Sequence, residues 1–261
     1  MSIFSVQGKT ALVTGGTGGI GFMIAEGFVK AGVKTYIASR KIDACEAAQA
    51  KLSEFGTCIA LVADVSTEAG CIALVDEIKS RESTLDILVN NAGTTWGAPL
   101  EEYPDKAWDR INNLNIKASF TLSKFLLPLL TKAGDKQDPS RIINITSVAG
   151  TLTCSMDAYA YGPSKAALNH LTKILANELA EKNITVNAIA PGVFPSKMTS
   201  HATATEEKKK AQEDLVPLGR LGQPEDVQGL TQFLCSPAGS YVTGNIIALD
   251  GGSTVKPASF L

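Results

Sequence analysis

One tyrosine and one lysine in this chain are spaced for proton transfer. The segment Tyr161-Gly162-Pro163-Ser164-Lys165 opens a stretch with helical periodicity, and residues four apart in a helix share one face. A free tyrosine has a pKa near ~10, and a cation held beside its hydroxyl lowers that pKa by roughly 1–3 units. Tyr161 assisted by Lys165 is therefore a candidate acid for protonating a carbonyl oxygen, and a candidate base in the reverse reaction.

A glycine-rich run at the start of the chain has the composition of a phosphate-binding loop. It reads Thr14-Gly15-Gly16-Thr17-Gly18-Gly19-Ile20-Gly21 and lies between an apolar run and a helical pattern. Glycines permit a tight turn against a pyrophosphate, and the N-terminus of the next helix presents free N–H groups to it. Two registers fit: Gly16, Gly18 and Gly21 match G-x-G-x-x-G, whereas Gly15, Gly19 and Gly21 match G-x-x-x-G-x-G. Either register predicts a dinucleotide cofactor.

The end of the second predicted strand indicates which dinucleotide binds. A carboxylate at this distance from the glycines would bind the ribose 2′-hydroxyl of NAD. This chain has Ser39 and Arg40 there instead. Nothing repels a 2′-phosphate, and the Arg40 guanidinium can pair with one bidentately. The sequence therefore favours NADP(H).

Apolar runs alternate with amphipathic stretches along the whole chain. The predicted strands are nearly continuous in apolar residues, as in strands covered on both faces; they span 10–14, 35–38, 58–63, 85–90, 141–146, 185–190 and 246–249. The predicted helices span 20–31, 43–55, 67–81, 104–131, 157–182 and 224–235. We expect one α/β domain over 1–261, a Rossmann-like doubly wound fold with a seven-stranded, mostly parallel sheet and helices on both faces.

The loops that follow the strands are the predicted substrate side. Segment 194–216 is long, carries its own polar helix pattern and is expected to be a lid over the ligand. Four large apolar residues on these loops are candidate pocket walls for a lipophilic ketone: Trp96, Met156, Phe194 and Met198.

The order of the motifs resembles the short-chain dehydrogenase/reductase family. With the glycine run read as G-x-x-x-G-x-G, the match covers essentially the whole chain and includes Asn90-Asn91-Ala92-Gly93, Ser147, Tyr161 to Lys165 and Pro191-Gly192. Segments 90–98, 158–165 and 194–199 are similar to NADPH-dependent β-ketoacyl reductases within it. NADP(H)-using relatives often carry Arg or Lys where this chain has Gly18, so recognition of the 2′-phosphate would rest mainly on Arg40.

The resemblance implies a role for each matching residue. Tyr161 is the proton donor in reduction, Lys165 also binds the nicotinamide ribose, and Ser147 orients the carbonyl oxygen. Asn115 matches the fourth catalytic residue, which holds a water for proton relay, with the asparagines at 112 and 113 as alternatives. The other matches are cofactor contacts: Asp64 and Val65 at the adenine, Asn91, Ala92 and Gly93 beside the adenosine ribose, Pro191, Gly192 and Val193 at the nicotinamide, and Thr199 at its carboxamide.

Composition excludes several classes of protein. A formal net charge of −2 does not suit a nucleic-acid partner, and no apolar stretch approaches the ~20 residues of a membrane span. Two histidines and five cysteines without a C-x-x-C pair predict no metal site and a reducing, cytoplasmic location. By resemblance we expect a homotetramer or a homodimer: helices 104–131 and 157–182 would form the dimer contact, and the C-terminal strand region would complete a tetramer.

The leading hypothesis for function is a reductase of a 3-oxoacyl thioester or a related ketone. A polyol, sugar or steroid dehydrogenase with the same four catalytic residues is the alternative. A regulatory protein that binds NADP(H) without turnover is a third possibility, which the presence of both Tyr161 and Lys165 disfavours.

Overall fold

A seven-stranded parallel sheet forms the centre of the computed structural model, which describes residues 2–153, 157–196 and 198–256. The strand order is β3-β2-β1-β4-β5-β6-β7, and each of the six pairings is parallel. The strands are β1 Thr10–Thr14, β2 Lys34–Ser39, β3 Cys58–Val62, β4 Ile87–Asn90, β5 Ser140–Ile145, β6 Ile184–Pro191 and β7 Ile246–Leu249. All seven predicted strands are confirmed, as is the Rossmann-like fold class.

Helices cover both faces of the sheet. They are α1 Gly19–Lys30, α2 Ile42–Leu52, α3 Glu68–Arg81, α4 Asp105–Asn112, α5 Ala118–Ala133, α6 Tyr161–Leu179, α7 Glu206–Leu215 and α8 Pro224–Cys235. On one face α3, α5 and α6 pack on strand residues such as Leu12; on the other, α1, α2 and α8 pack on its neighbours Ala11 and Val13. Alternating strand side chains thus enter two separate cores, which explains the continuous apolar runs.

Two predicted helices differ from the observed ones. The helix expected over 104–131 is interrupted by a π-helical turn at Asn113–Lys117, which carries Asn115 into the core. A single π turn keeps the chain helical, and a shift of one residue is too small a disturbance to recognise in the 11- to 18-residue windows on which apolar periodicity is judged. The helix expected over 157–182 begins at Tyr161, since Asp157 has a left-handed φ of 47° that no helix tolerates.

The described helices include none that is long and apolar enough to cross a lipid bilayer.

A fully buried arginine joins the sheet to α8. Arg141, at the amino end of β5, is 0% exposed. Its Nε donates to the carbonyl oxygen of Leu234 at 2.9 Å, and its Nη2 donates to that of Ser236 at 2.9 Å and to Asp138 at 2.9 Å. The two carbonyls belong to the C-terminal end of α8, where backbone oxygens lack partners inside the helix. Arg141 therefore fixes the helix that follows the predicted lid.

Replacing Arg141 with methionine is expected to lower the free energy of unfolding by about 2–4 kcal/mol, because two buried carbonyl oxygens lose their donor. Urea denaturation followed by circular dichroism measures the change. Arg81→Met is the control: its ion pair with Glu77 is exposed, and such pairs contribute at most about 1 kcal/mol. Equal losses in the two variants would contradict the role given to Arg141.

Candidate functional site

The carboxyl ends of β1 and β4 are tied together where the strand order reverses. Thr14 Oγ1 accepts hydrogen bonds from the backbone N–H groups of Asn91 (3.0 Å) and Ala92 (3.1 Å). Asn91 Nδ2 in return donates to the carbonyl oxygens of Thr14 (2.8 Å) and Gly15 (3.3 Å). Open parallel sheets bind ligands in the crevice at such a reversal. The Asn91 side chain, predicted to lie beside a ribose, is used to hold the glycine loop in place.

The glycine loop selects one of the two predicted registers. Gly15 and Gly19 have left-handed φ angles of 66° and 54°. At Gly21 a Cβ would overlap both the Gly15 carbonyl oxygen and Asn91 Nδ2. Gly18 has an extended backbone, and a Cβ there would have no neighbour within 4 Å. Gly16 is crowded as well, since a Cβ there would lie 2.7 Å from Ile37 Cγ2. The open position at Gly18 is therefore what disfavours G-x-G-x-x-G, whereas all three glycines of G-x-x-x-G-x-G are constrained. Because no side chain caps the start of α1, the N–H groups of its first turn remain available to an anion.

A cavity of about 320 Å³ lies among the segments that follow β2, β3 and β4 at the carboxyl edge of the sheet. It is lined by Arg40, Ser66, Thr67, Gly93, Thr94, Arg110, Asn113 and Leu114. Arg40 is exposed at the end of β2, next to the half-buried Ser39. Hydrogen bonds from Ser66, with a smaller contribution from the charge of Arg40, hold the pKa of Asp64 below its usual value. Val65, the other predicted adenine contact, is buried at 6% exposure in the core behind the cavity.

Lys165 is the buried cation of the site. Its side chain is 4% exposed, and its Nζ donates to the Ile145 carbonyl oxygen at 2.8 Å, where β5 ends. Nζ lies 5.8 Å from the centre of the Tyr161 ring. Burial lowers the pKa of Lys165 to about 8. The ammonium is therefore still mostly charged at neutral pH, close to the tyrosine that it was predicted to assist.

A short turn after Ser147 packs against α6, the helix that carries Tyr161 and Lys165. It follows β5, and its Oγ accepts from the Ala149 N–H at 3.1 Å at the start of a short 3₁₀ turn. The turn ends at Gly150, where a Cβ would lie 2.9 Å from the Lys165 backbone carbonyl carbon. Gly150 thus allows the turn to rest directly on α6. The close approach brings the Ser147 loop onto the part of α6 that carries Tyr161 and Lys165.

Asn115 links the π turn to the start of α6. Its Oδ1 accepts from the Thr94 N–H at 2.9 Å, and its Nδ2 donates to the Thr94 carbonyl oxygen at 3.1 Å and to Ser164 Oγ at 2.9 Å. Ser164 Oγ donates in turn to the Tyr161 carbonyl oxygen at 2.7 Å. Asn115 is 1% exposed, whereas Asn113 is exposed. Of the asparagines considered, Asn115 is therefore the one connected to the tyrosine.

The residues predicted to lie at the nicotinamide are at the end of β6 and directly after it. Pro191 is its last residue, Gly192 N–H donates to the Leu249 carbonyl oxygen at 3.0 Å, and the Val193 carbonyl oxygen accepts from Gly222 at 3.0 Å. A Cβ at Gly192 would lie 3.0 Å from the Asp250 Cα, so β6 and the segment after β7 are in close contact.

The first residues of the predicted lid contact the glycine loop. Ser196 Cβ lies 3.2 Å from the position that a Cβ at Gly19 would take. Thr199 Oγ1, predicted to reach a carboxamide, donates to the Phe194 carbonyl oxygen at 2.7 Å and accepts from Ser196 N–H at 2.9 Å. Its hydroxyl therefore closes a turn within the lid.

The four candidate pocket residues have different environments. Phe194 is 2% exposed, with its ring against Gly222, so it anchors the lid in the core. Met198 is 45% exposed on the lid. Trp96 is half-buried on the loop after β4, with the Arg110 guanidinium 5.7 Å from its ring centre. Met156 lies outside the described residues.

Three positions that support the site were not among the candidates. Thr14 and Gly150 act through close contacts between segments far apart in sequence, and Ser164 acts through its bond to Asn115. A threonine that ends β1 immediately before the glycines was the one visible signal. The other two are a serine and a glycine among many, and only the packing of α6 distinguishes them.

Comparison with known proteins agrees with this geometry. A family model described as enoyl-(acyl carrier protein) reductase matches residues 15–254. The chain belongs to the short-chain dehydrogenase/reductase family. It is therefore an oxidoreductase, and the family resemblance predicted from the sequence motifs is confirmed.

Individual relatives cover almost the whole chain. A 3-oxoacyl-[acyl-carrier-protein] reductase of rhamnolipid biosynthesis from Pseudomonas aeruginosa is 47% identical over 249 residues, 95% of this chain and 97% of the relative. A tropinone reductase homolog from Arabidopsis thaliana is 38% identical over 98% of this chain and 96% of its own. The solved RhlG/NADP active-site complex from Pseudomonas aeruginosa superposes with a TM-score of 0.95 at 46% identity, covering 98% of this chain and 100% of that one.

Gly21→Ala is expected to weaken binding of NADPH and NADH by roughly 10-fold or more, because the added methyl displaces the loop against Gly15 and Asn91. Gly18→Ala, three residues away in the same loop, has room for its methyl and is expected to bind both as the parent does. Quenching of intrinsic fluorescence gives the dissociation constants. Equal weakening in both variants would mean that the G-x-x-x-G-x-G register is wrong.

Lys165→Met is expected to stabilise the cofactor-free protein by about 1–3 kcal/mol at pH 7, since burial lowers the pKa of Lys165 to about 8. Below that pH the folded state keeps a buried charge. The pKa of Lys165 in the unfolded chain is 10.5. Between pH 8 and pH 10.5 the unfolded chain therefore binds more protons than the folded protein, so the stability of the parent rises with pH and the advantage of the variant shrinks. Urea midpoints at pH 7 and pH 10 measure this; exposed Lys173 on the same helix, replaced by Met, should show no such trend.

Proposed function

We propose that this protein is an NADP(H)-dependent reductase that converts the ketone of a 3-oxoacyl thioester, or a related ketone, into a secondary alcohol. The observation that carries the chemistry is a buried lysine ammonium beside a tyrosine at the carboxyl edge of the sheet, across from a phosphate-binding loop. The substrate class is supported by 47% identity to a 3-oxoacyl reductase over nearly its full length.

The residues present suit NADP(H). The crowded glycine Gly21 and the uncapped start of α1 fit a pyrophosphate, and Arg40 at the mouth of the neighbouring cavity fits a 2′-phosphate. No carboxylate follows β2 at Ser39, where NAD-binding relatives of the fold carry one. When bound, the nicotinamide supplies the hydride that reduces the carbonyl carbon.

The chain's own residues supply the proton and its placement. Tyr161 donates its phenolic proton to the carbonyl oxygen as the alcohol forms, and solvent later restores that proton. Lys165 stabilises the tyrosinate left behind, because a cation in a buried site interacts strongly with a nearby anion. Ser147 donates a hydrogen bond to the same carbonyl oxygen and so orients it. Asn115 keeps the π turn against α6, which fixes the relative positions of Tyr161 and Lys165.

The acyl part of the substrate is proposed to lie between the lid, residues 194–216, and the loop after β4. Large apolar side chains are exposed on and beside both segments: Leu100 at 69%, Met198 at 45%, Leu215 at 60% and Leu218 at 68%. An apolar chain of a thioester would cover such side chains better than a sugar would.

Assembly through α4, α5 and α6 is also part of the proposal, as a homodimer or homotetramer in the cytoplasm. Phe120 on α5 is 46% exposed and Ile174 on α6 is 52% exposed. Covering such apolar side chains with a second copy of the chain would remove apolar surface from water and so favour association. Sedimentation equilibrium would distinguish a monomer from these oligomers.

The test is the initial rate of NADPH oxidation with acetoacetyl-CoA, run beside a simple sugar ketone and crotonoyl-CoA. Selective turnover of the 3-oxoacyl thioester supports the proposal. Turnover of the sugar ketone alone would show that the substrate is not a 3-oxoacyl thioester, and turnover of the enoyl thioester alone would show that the reaction is not carbonyl reduction.

Tyr161→Phe is expected to keep NADPH affinity and lower kcat by roughly 10²–10⁴-fold, because the phenolic proton donor is lost. Near-normal turnover in this variant would show that Tyr161 is not the proton donor.

Arg40→Ala is expected to weaken NADPH binding at least roughly 10-fold while changing NADH binding little, because only NADPH carries the 2′-phosphate. Gly18→Arg is the converse variant: the open space at Gly18 accepts a side chain, and a second guanidinium there is expected to tighten NADPH binding. Dissociation constants for both cofactors measure the two effects. Equal losses of NADPH and NADH affinity in Arg40→Ala would refute the contact.

A further inference from the structure

Tyr103 lies outside the catalytic set but contacts the residue immediately before the proposed proton donor. It stands between a short 3₁₀ turn, Leu100–Glu102, and helix α4. Its Oη accepts a hydrogen bond from the Ala160 N–H at 3.2 Å. Ala160 precedes Tyr161, the first residue of α6, and is 0% exposed.

The contact meets a specific need at the start of α6. The first N–H groups of a helix have no acceptor within the helix, and a buried one must find a partner elsewhere. Ala160 is the N-cap residue of α6, and in a capping box its N–H is accepted by the side chain of the third helical residue, which here is Pro163 and has no acceptor. The phenolic oxygen of Tyr103 takes that place, 57 residues earlier in the chain.

Further contacts hold the same two segments together. The Ala98 N–H donates to the Asp157 carbonyl oxygen at 3.0 Å, and Asp157 has its left-handed φ of 47° at that point. The Tyr103 ring packs edge-to-face on Tyr159, with ring centres 5.2 Å apart, and on Trp108 at 6.3 Å. Two hydrogen bonds and one ring contact therefore join the loop after β4 to residues 157–160, and the hydrogen bond made by Tyr103 is the one nearest to Tyr161 along the chain.

We propose that Tyr103 is a positioning residue for catalysis: its hydroxyl fixes the first turn of α6 and, through Ala160, the place of the Tyr161 phenol. The inference rests on the proposed function, in which Tyr161 is the proton donor. The hydroxyl group alone carries the effect, because the ring contacts with Tyr159 and Trp108 persist when it is removed.

The test compares Tyr103→Phe with Tyr159→Phe in the full-length protein. Both variants keep their rings, and Tyr159 is a 37% exposed member of the same edge-to-face pair. With acetoacetyl-CoA and NADPH, Tyr103→Phe is expected to lower kcat roughly 10- to 100-fold, the scale for a catalytic group displaced by about an ångström. KM for NADPH, its dissociation constant and the circular dichroism spectrum should not change. Tyr159→Phe should behave as the parent in every assay.

A kinetic isotope effect separates positioning from a general loss of structure. With NADPH deuterated at the transferred position, the effect on kcat should rise in Tyr103→Phe, because the chemical step then limits turnover. A kcat within twofold of the parent, an unchanged isotope effect, or equal losses in both variants would overturn the inference. Tyr161→Phe is measured alongside: if it retains turnover, the proposed function itself fails, whereas a dead Tyr161→Phe with a normal Tyr103→Phe removes only the role of Tyr103.

Discussion

The site depends on keeping one ammonium group charged inside the protein. Lys165 is 4% exposed, and its Nζ has a backbone carbonyl, that of Ile145, as a hydrogen-bond partner. Burial disfavours the charge, while the pKa of about 8 leaves it in place at neutral pH. A fully solvated lysine would stabilise a tyrosinate poorly, and a lysine buried without an acceptor would lose its proton. The end of β5 supplies the acceptor, so the position of β5 relative to α6 determines whether the Lys165 ammonium has a hydrogen-bond partner.

Backbone, rather than side chains, builds most of the cofactor side. Gly21 lies so close to Gly15 and Asn91 that any side chain would separate them, and Gly150 brings the Ser147 turn onto α6 in the same way. Where two backbones must touch, the residue type is dictated by the absence of a Cβ. Close contact between the backbones fixes the relative positions of the segments, so no further side chains are needed to hold them together.

These two constraints decide how much the sequence could predict. The seven strands were recognisable because their apolar runs are continuous. The five inner strands are buried on both faces, whereas the edge strands β3 and β7 are only partly buried. Tyr161, Lys165 and the glycines could be proposed because their spacing along the chain is itself the signal. The π turn at Asn113–Lys117 was not recognisable, since a shift of one residue within a long helical pattern is too small to recognise from apolar periodicity. The supporting roles of Thr14, Gly150 and Tyr103 were not either, because each depends on a partner more than ten residues away.

The same division bears on substrate choice within the family. The cofactor side is made from strand ends and the first turn of α1, elements fixed by two hydrophobic cores. The proposed substrate side is made from the loop after β4 and the lid. Single hydrogen bonds and an aromatic contact hold the loop after β4 to residues 157–160. Changes in those loops alter the pocket with little effect on the core, which is how one catalytic arrangement accommodates different ketones. Tyr103 lies where the two sides meet: it belongs to a substrate loop, yet its hydroxyl holds the helix that carries the chemistry. A change at this position would therefore remove an acceptor at the start of α6 as well as alter the loop after β4.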